Sequence, residues 1–190
     1  GIPVDVFLVG ARDSVSGDAG WALQALERCD VPVREVATAA DIDRFWRALN
    51  GAAVAVDALF GTGLNAPVRG IFGQVIEVLN TSGTPVLSVD MPSGLDADRG
   101  FPLGACVKAT VTVTFGFAKV GQVVYPGLSY VGTLSVVDIG IARRAINEVQ
   151  PRYRLLKRNN IAPLIPVRPA DTHKGACGHT LIFAGSRGHT

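Results

Sequence analysis

The sequence is short of cysteine, of charge and of long apolar runs. Its three cysteines, Cys29, Cys106 and Cys177, are odd in number and widely spaced, and no CxxC pair occurs. This pattern argues against a disulfide framework and predicts free thiols in a reducing cytoplasm. No apolar run approaches the ~20 residues that a membrane-spanning helix needs, so no membrane partner is expected.

Charge is also scarce and balanced. Charged residues make up 18% of the chain, and the net charge is +2. The chain lacks a run of Lys and Arg interleaved with aromatics, so no nucleic-acid partner is expected. The 190 residues, of which 48% are hydrophobic, are enough for one domain with a full core and a tail.

Apolar runs alternate with segments of helical periodicity. This alternation predicts an α/β fold with a parallel sheet and right-handed crossovers. Ile42, Phe45, Trp46 and Leu49 form an apolar helical stripe, and both Trp21 and Trp46 are predicted to pack in the core. The predicted strands are Val4–Val9, Val33–Val36, Val54–Ala58, Val86–Val89, Val111–Phe115 and Leu134–Val137.

Two acids follow two of these strands. Asp57 ends one strand and Asp90 ends another, with Ser93 in the turn behind Asp90. The carboxyl ends of parallel strands are where ligands bind in open sheets, so these residues form a candidate site. Two interpretations of Asp57 and Ser93 remain open: oxygen ligands for a monovalent cation such as K⁺, or local hydrogen bonds that order the turns.

A glycine-rich loop, Gly61 to Pro67, follows Asp57 directly. Its backbone N–H groups are able to point into one concavity, which suits a diphosphate. The glycine pattern alone is common in tight turns. The chain lacks the G-x-G-x-x-G fingerprint, which disfavours an ordinary nicotinamide-dependent oxidoreductase.

Longer motifs carry a family resemblance. VDALFGTGL with VRG behind it, VLSVDMPSGLDADRG, VKATVTVTFGFAKVG, YPG and VVDIGI resemble the NAD(P)H-hydrate epimerase domain, over about Val4 to Ile141. The final stretch, DTHKGACGHTLIFAGSRGHT, is similar to the opening of the ADP-dependent NAD(P)H-hydrate dehydratase domain, which bacteria often fuse behind the epimerase.

The resemblance implies a Rossmann-like three-layer sandwich with a mostly parallel sheet. It implies an epimerase domain at residues 1–146, a linker at 147–170 and the first strand of a ribokinase-like dehydratase domain, Thr180 to Ala184, within 171–190. The family's GNNGGDG-type phosphate loop is not present in this sequence. The chain is therefore expected to be truncated at both ends and to be weakly active or inactive by itself.

The implied function is nicotinamide-nucleotide repair. The R and S forms of hydrated NADH or NADPH would be interconverted and, in the full protein, the S form dehydrated with ADP or ATP, which this fragment does not bind. Asp90 is the implied acid/base residue, and Asp57 and Ser93 the implied ligands of one K⁺ per site. A cytoplasmic homo-oligomer is expected. The implied substrate contacts are Gly61, Thr62, Gly63, Leu64, Asn65, Ala66, Pro67 and Asp90.

Two alternatives stay open at this point. Asp90 could instead be a structural acid that orders the Pro92–Gly94 turn. The whole chain could be a non-catalytic interaction or dimerisation module, because a fold does not determine a function. The combination of Asp57, Asp90 and Ser93 favours the enzyme. Lys119, at a strand end, is expected to be solvated and is left outside the predicted site.

Overall fold

The computed structural model describes residues 2–186 and 188. The chain divides into two compact units, Gly1–Gln150 and Pro151–Thr190. No helix in the described part of the chain is long and apolar enough to cross a membrane. The candidate site lies in the first unit.

The first unit alternates strands and helices, as the sequence predicts. Three of its strands, Val33–Val36, Val86–Val89 and Val111–Phe115, have the predicted bounds. The elements in chain order are β1 (Val6–Val9), α1 (Gly17–Arg28), β2 (Val33–Val36), α2 (Ala39–Asn50), β3 (Ala55–Asp57), α3 (Gly70–Thr81), β4 (Val86–Val89), β5 (Val111–Phe115), α4 (Val120–Val123), β6 (Thr133–Val137) and α5 (Arg143–Val149).

All strand pairs are parallel, which confirms the predicted α/β class. The strands form two sheets, β1-β2 and β3-β4-β5-β6, and among the described residues no strand joins β1 to β3. Both orders agree with a doubly wound sheet, in which strand order reverses near the centre. The helix of the crossover from β3 to β4, α3, also contacts β1.

One apolar core lies under α2 and α3. Phe45 and Leu49 of α2 are buried, and so are Val75, Ile76 and Leu79 of α3. Phe45 and Leu49 lie at the helical spacing that the sequence predicts, and each of the two helices packs one face inward.

The prediction that both tryptophans pack in the core is wrong. Trp21 is 72% exposed, and the other residues of α1 are likewise exposed or half-buried. Trp46, at the edge of the α2 stripe, is 37% exposed. Helical periodicity indicates which residues share a face, whereas burial depends on whether another element covers that face.

The second unit contains little regular structure. Its described residues hold one short α-helix, Arg158–Ile161, and two 3-10 helical turns, Ala162–Leu164 and Lys174–Cys177. The predicted linker at 147–170 therefore includes the end of α5, this short helix and the first of these turns. Thr180 to Ala184, predicted as a strand, lies outside any strand. Its large apolar side chains are 77–90% exposed. A strand needs a pairing partner for its backbone N–H and C=O groups, and this segment is paired with none in the described structure. Gly1, Arg187, His189 and Thr190, which fall within the predicted domains, lie outside the described residues.

Candidate active site at the carboxyl edge of the sheet

Both predicted acids lie at one edge of the four-stranded sheet. Asp57 is the last residue of β3 and pairs with Ser88 of β4. Asp90 directly follows β4, and its N–H donates to the carbonyl oxygen of Val113 in β5 at 2.7 Å. Because parallel strands end at the same edge, the two carboxylates come to neighbouring positions, as the sequence predicts.

Asp57 is buried in a hydrogen-bonded cluster with two serines. The Ser88 hydroxyl donates to Asp57 Oδ2 at 2.7 Å, and the Ser93 N–H donates to the same oxygen at 2.9 Å. The Ser93 hydroxyl donates to Asp57 Oδ1 at 2.5 Å. All three residues are at most 1% exposed. The structure therefore brings Asp57 and Ser93 together, and it adds Ser88, which the sequence analysis missed.

The Asp57 carboxylate is not ion-paired within the described part of the chain. Across residues 2–186 and 188, no Lys, Arg or His forms a salt bridge with it. Buried charges are normally paired or bind a metal. Ser93 Oγ lies 2.5 Å from Asp57 Oδ1 and 3.3 Å from the Phe60 carbonyl oxygen, so three oxygens converge. Hydroxyl, carboxylate and carbonyl oxygens are the atoms that K⁺ prefers.

These oxygens fit a monovalent cation in kind and in charge. Asp57 would be the one carboxylate ligand of such a cation. The described residues contain no group of three His, Cys, Asp or Glu that could hold a metal ion. A cation there would be held through the oxygens of Asp57, Ser93 and Phe60, and the Ser93 hydroxyl would keep its proton. The ion would also neutralise the buried charge.

The same negative charge affects Cys106. Burial, together with the nearby Asp57 charge, raises the pKa of the Cys106 thiol to about 12. A thiol with this pKa is not a thiolate at neutral pH, so Cys106 is not a nucleophile.

The turn that carries Ser93 requires glycine at its next position. Gly94 has φ +98°, and a Cβ atom there would lie 2.0 Å from the carbonyl oxygen of Ala105. The backbone therefore approaches more closely than any other residue permits. This close approach fixes Ser93, whose hydroxyl also accepts the Phe60 N–H at 2.9 Å and ties the turn to the start of the glycine loop.

The predicted substrate loop, Gly61 to Pro67, is exposed apart from the half-buried Leu64. In the described structure, the N–H groups of Gly61, Thr62 and Gly63 donate no hydrogen bond. Neither glycine has a positive φ, and a Cβ at either one would meet open space. The loop's own packing therefore does not demand these glycines, and its free N–H groups are available to an anion.

Asp90 is held by several donors, all on one oxygen. Lys119 Nζ donates to Asp90 Oδ1 at 2.5 Å, the Thr114 hydroxyl at 3.0 Å and the Phe115 N–H at 3.3 Å. Asp90 itself is left-handed, with φ 66°. Its carbonyl oxygen accepts the Gln122 side-chain amide at 2.6 Å, which stabilises this uncommon backbone.

These contacts keep the Asp90 carboxyl ionised. Burial acts to raise its pKa. The Lys119 hydrogen bond, the donors from Phe115 and Thr114, and the Lys119 charge all act to lower it, and together they prevail. The pKa of Asp90 therefore lies below its ordinary value, and at neutral pH the group is an acceptor and a base.

Lys119 is the main residue that the sequence analysis missed. Its side chain is 22% exposed and ion-paired with Asp90, rather than solvated as expected. The available signal was its place behind β5, because β5 pairs with the strand that precedes Asp90. Lys108, in contrast, is exposed.

The comparisons with known proteins begin with a family match. The family described as YjeF-related protein N-terminus matches residues 1–121, which is more than half of the chain. The chain belongs to this family. The matched stretch of this YjeF-related N-terminal domain includes Asp57, the glycine loop, Asp90, Ser93 and Lys119.

Several curated relatives of this family match most of the chain. A protein of Thermofilum pendens, named bifunctional NAD(P)H-hydrate repair enzyme Nnr, is 40% identical over 98% of this chain and 35% of its own length. A Moorella thermoacetica protein of the same name is 37% identical over 100% of the chain and 36% of its own length. The Oenococcus oeni NAD(P)H-hydrate epimerase is 36% identical over 74% of the chain and 62% of its own length.

The chain thus spans about a third of the length of these bifunctional relatives. Among solved structures, the crystal structure of yeast YNL200c matches with a TM-score of 0.57, over 76% of this chain and 70% of that one. At 22% identity this likeness concerns the fold, and it agrees with the parallel α/β architecture of the YjeF-related N-terminal domain.

Proposed function

We propose that this chain is the epimerase domain of a nicotinamide-nucleotide repair enzyme, which interconverts the R and S forms of hydrated NADH and NADPH. The names of the relatives support this reaction. The observation that carries the proposal is the ordered, ionised Asp90 at the carboxyl edge, beside the buried Asp57–Ser93 cluster. An interaction module has no need for this arrangement, so the enzyme is favoured.

Asp90 is the proposed catalytic residue. Inverting C6 of a hydrated nicotinamide requires that the hydroxyl be lost and regained, or that the ring open and reclose, and either route moves a proton. Asp90 would contact the hydrated ring and accept the proton. Its carboxylate is ready for this role at neutral pH because Lys119 keeps it ionised.

The loop Gly61 to Pro67 is the proposed contact with the rest of the substrate. A dinucleotide carries a diphosphate, and exposed, unengaged N–H groups on a glycine loop suit such an anion. The loop begins beside Ser93, through the Phe60–Ser93 hydrogen bond, so this arm and the acid site belong to one surface.

Asp57 and Ser93 would hold one K⁺ per site. When bound, the ion supplies a positive charge that offsets the Asp57 carboxylate and attracts the anionic substrate. The residues of this chain supply the buried oxygens that receive it. A structural role for the Asp57–Ser93 pair remains the competing interpretation, and the dependence of activity on K⁺ decides between them.

The remaining proposals concern the whole protein. Its epimerase domain would occupy residues 1–146, with a linker at 147–170 and the opening of an ADP-dependent dehydratase domain at 171–190. That second domain would act on the S form with ADP or ATP, which residues 1–190 would not bind. The protein would be a cytoplasmic homo-oligomer. The 190-residue chain alone would be weakly active, because the family's phosphate loop is absent from it.

The experiment is an epimerisation assay on the full-length gene product. Interconversion of R and S NADH hydrate is followed by chromatography, with K⁺ replaced by Na⁺ in parallel samples. Asp90→Ala is expected to lower kcat by about 10²–10⁴-fold with an unchanged circular dichroism spectrum. Exposed Lys108→Ala serves as the control. If the unmodified protein interconverts the R and S forms no faster than the non-enzymatic reaction does, the proposed function is refuted.

A further inference from the structure

The two oxygens of the Asp90 carboxylate have different surroundings. Oδ1 accepts from Lys119 Nζ, from the Thr114 hydroxyl and from the Phe115 N–H. Within the described part of the chain, Oδ2 accepts no hydrogen bond. No buried polar side-chain atom there lacks a partner, so this free oxygen is reached by solvent. Asp90 therefore presents one oxygen outward while three donors hold the other.

The Lys119 ammonium is fully engaged. An ammonium has three N–H donors. Its nitrogen lies 2.5 Å from Asp90 Oδ1, 2.7 Å from Thr114 Oγ1 and 3.1 Å from the Phe115 carbonyl oxygen. Thr114 is fully buried, which fixes one of these acceptors in place. No donor of Lys119 is left to point at a substrate.

Gln122 links the backbones of the same two residues. Its side-chain nitrogen donates to the Asp90 carbonyl oxygen at 2.6 Å, and its side-chain oxygen accepts the Lys119 N–H at 2.8 Å. Gln122 is fully buried, so this link is sheltered from water. The ion pair is thus supported from both backbones, and a change at either residue is transmitted to the other.

The geometry points to Lys119 as a positioning residue for the proposed reaction, which acts through Asp90: it clamps Oδ1, so that Oδ2 alone accepts the substrate's proton. The inference rests on the proposed function, and it assigns the proton transfer to one atom. Lys119 itself neither donates nor accepts the reacting proton. In the ring-opening route, Asp90 Oδ2 takes the proton of the C6 hydroxyl as the C6=O bond forms and the C6–N1 bond breaks, and it delivers this proton to N1, which keeps the electron pair. Attack of N1 on the opposite face of the carbonyl reverses these transfers, so C6 is inverted and the carboxylate is regenerated in each turnover.

The charged groups around Asp90 define the expected pH behaviour. Lys119, at the entrance to α4, forms the ion pair, and β5 contributes only the neutral Thr114 hydroxyl and Phe115 N–H. Asp57, at the end of β3, is the other acid at this edge. Without Lys119, burial raises the Asp90 pKa, and the carboxylate form is lost at a higher pH than in the unmodified enzyme.

The test is a double-mutant cycle in the full-length gene product. Epimerisation of NADH hydrate is measured for Lys119→Met, Asp90→Asn and the double variant, with Lys108→Met as the control and the non-enzymatic rate subtracted. Lys119→Met is expected to lower kcat about 10–100-fold, as for a misplaced catalytic group. The acid limb of its kcat/KM profile should move to higher pH. In the Asp90→Asn background, the Lys119 substitution should have no further effect.

Each outcome of this experiment either supports or contradicts the positioning role of Lys119. If the rate effects of the two substitutions multiply in the double variant, or if the acid limb does not move, Lys119 does not act through Asp90 and the positioning role is wrong. If Lys119→Met does not fold by circular dichroism, Lys119→Gln replaces it, since its amide keeps a donor but no charge and should shift the acid limb likewise. An active unmodified enzyme with multiplying effects refutes this inference alone, whereas an inactive unmodified enzyme refutes the proposed function and this inference together.

Discussion

The turn at Gly94 provides a quantitative test of the structure. In Gly94→Ala, the left-handed backbone costs about 1–2 kcal/mol. The new Cβ would lie 2.0 Å from the Ala105 carbonyl oxygen, and forced overpacking of this kind typically costs a further ~1–3 kcal/mol. The free energy of unfolding should therefore fall by about 2–5 kcal/mol, a large part of the ~5–15 kcal/mol that stabilises a typical protein.

Two other glycines supply matched controls. Gly83 also has a positive φ, +76°, but a Cβ there would meet open space, so Gly83→Ala should cost only the backbone strain of about 1–2 kcal/mol. Gly63 has neither a positive φ nor a close neighbour, so Gly63→Ala should be near neutral. The three substitutions thus separate strain from steric overlap.

The assay is thermal unfolding followed by circular dichroism. For a chain of this size, each kcal/mol shifts Tm by about 2–4 °C, so Gly94→Ala should unfold about 4–20 °C below the unmodified protein. Gly83→Ala should fall between it and Gly63→Ala. A Gly94→Ala variant with the same Tm as Gly63→Ala would refute the close approach of Gly94 to Ala105, and with it the placement of Ser93.

Three further predictions follow from burial and charge. Asp57→Ala should raise both the K⁺ concentration for half-maximal epimerisation and the KM for NADH hydrate; unchanged K⁺ dependence would contradict the proposed cation site. Cys106, with its thiol pKa near 12, should resist iodoacetamide at pH 8 while the two exposed cysteines react, which mass spectrometry of the labelled peptides measures. Limited trypsin digestion should cut first within Arg152–Arg158, where every residue is exposed, and early cuts elsewhere would contradict the assignment of a mobile linker.

Local patterns in the sequence determined most of the elements of the first unit. Runs of four and five residues, rich in Val and bounded by turn signals, gave β4 and β5 their bounds, because β-branched residues suit a strand. The spacing of Phe45 and Leu49 indicated the inward face of α2. The sequence also predicted that the two strand-end acids share one edge of the sheet, because parallel strands all end at the same edge.

Contacts between distant residues were decided only by the tertiary structure. Lys119 and Asp90 are 29 positions apart, and their ion pair exists because β4 and β5 are neighbours in the sheet. The link from Ser93 to Asp57 spans 36 positions. A lysine behind a strand carries no local mark of its partner, so the sequence alone left it among the solvated residues.

Burial, too, was determined partly by the sequence and partly by the tertiary structure. The sequence predicted Trp21 in the core, but only the packed chain determined that it remains exposed. Thr180 to Ala184 has the composition of a strand, yet it forms none without a partner to satisfy its backbone groups. The sequence by itself therefore determined the kind of most elements of the first unit and the residue types at the strand ends. Which oxygen of Asp90 is held and which is free depended on side chains that only the folded sheet brings together.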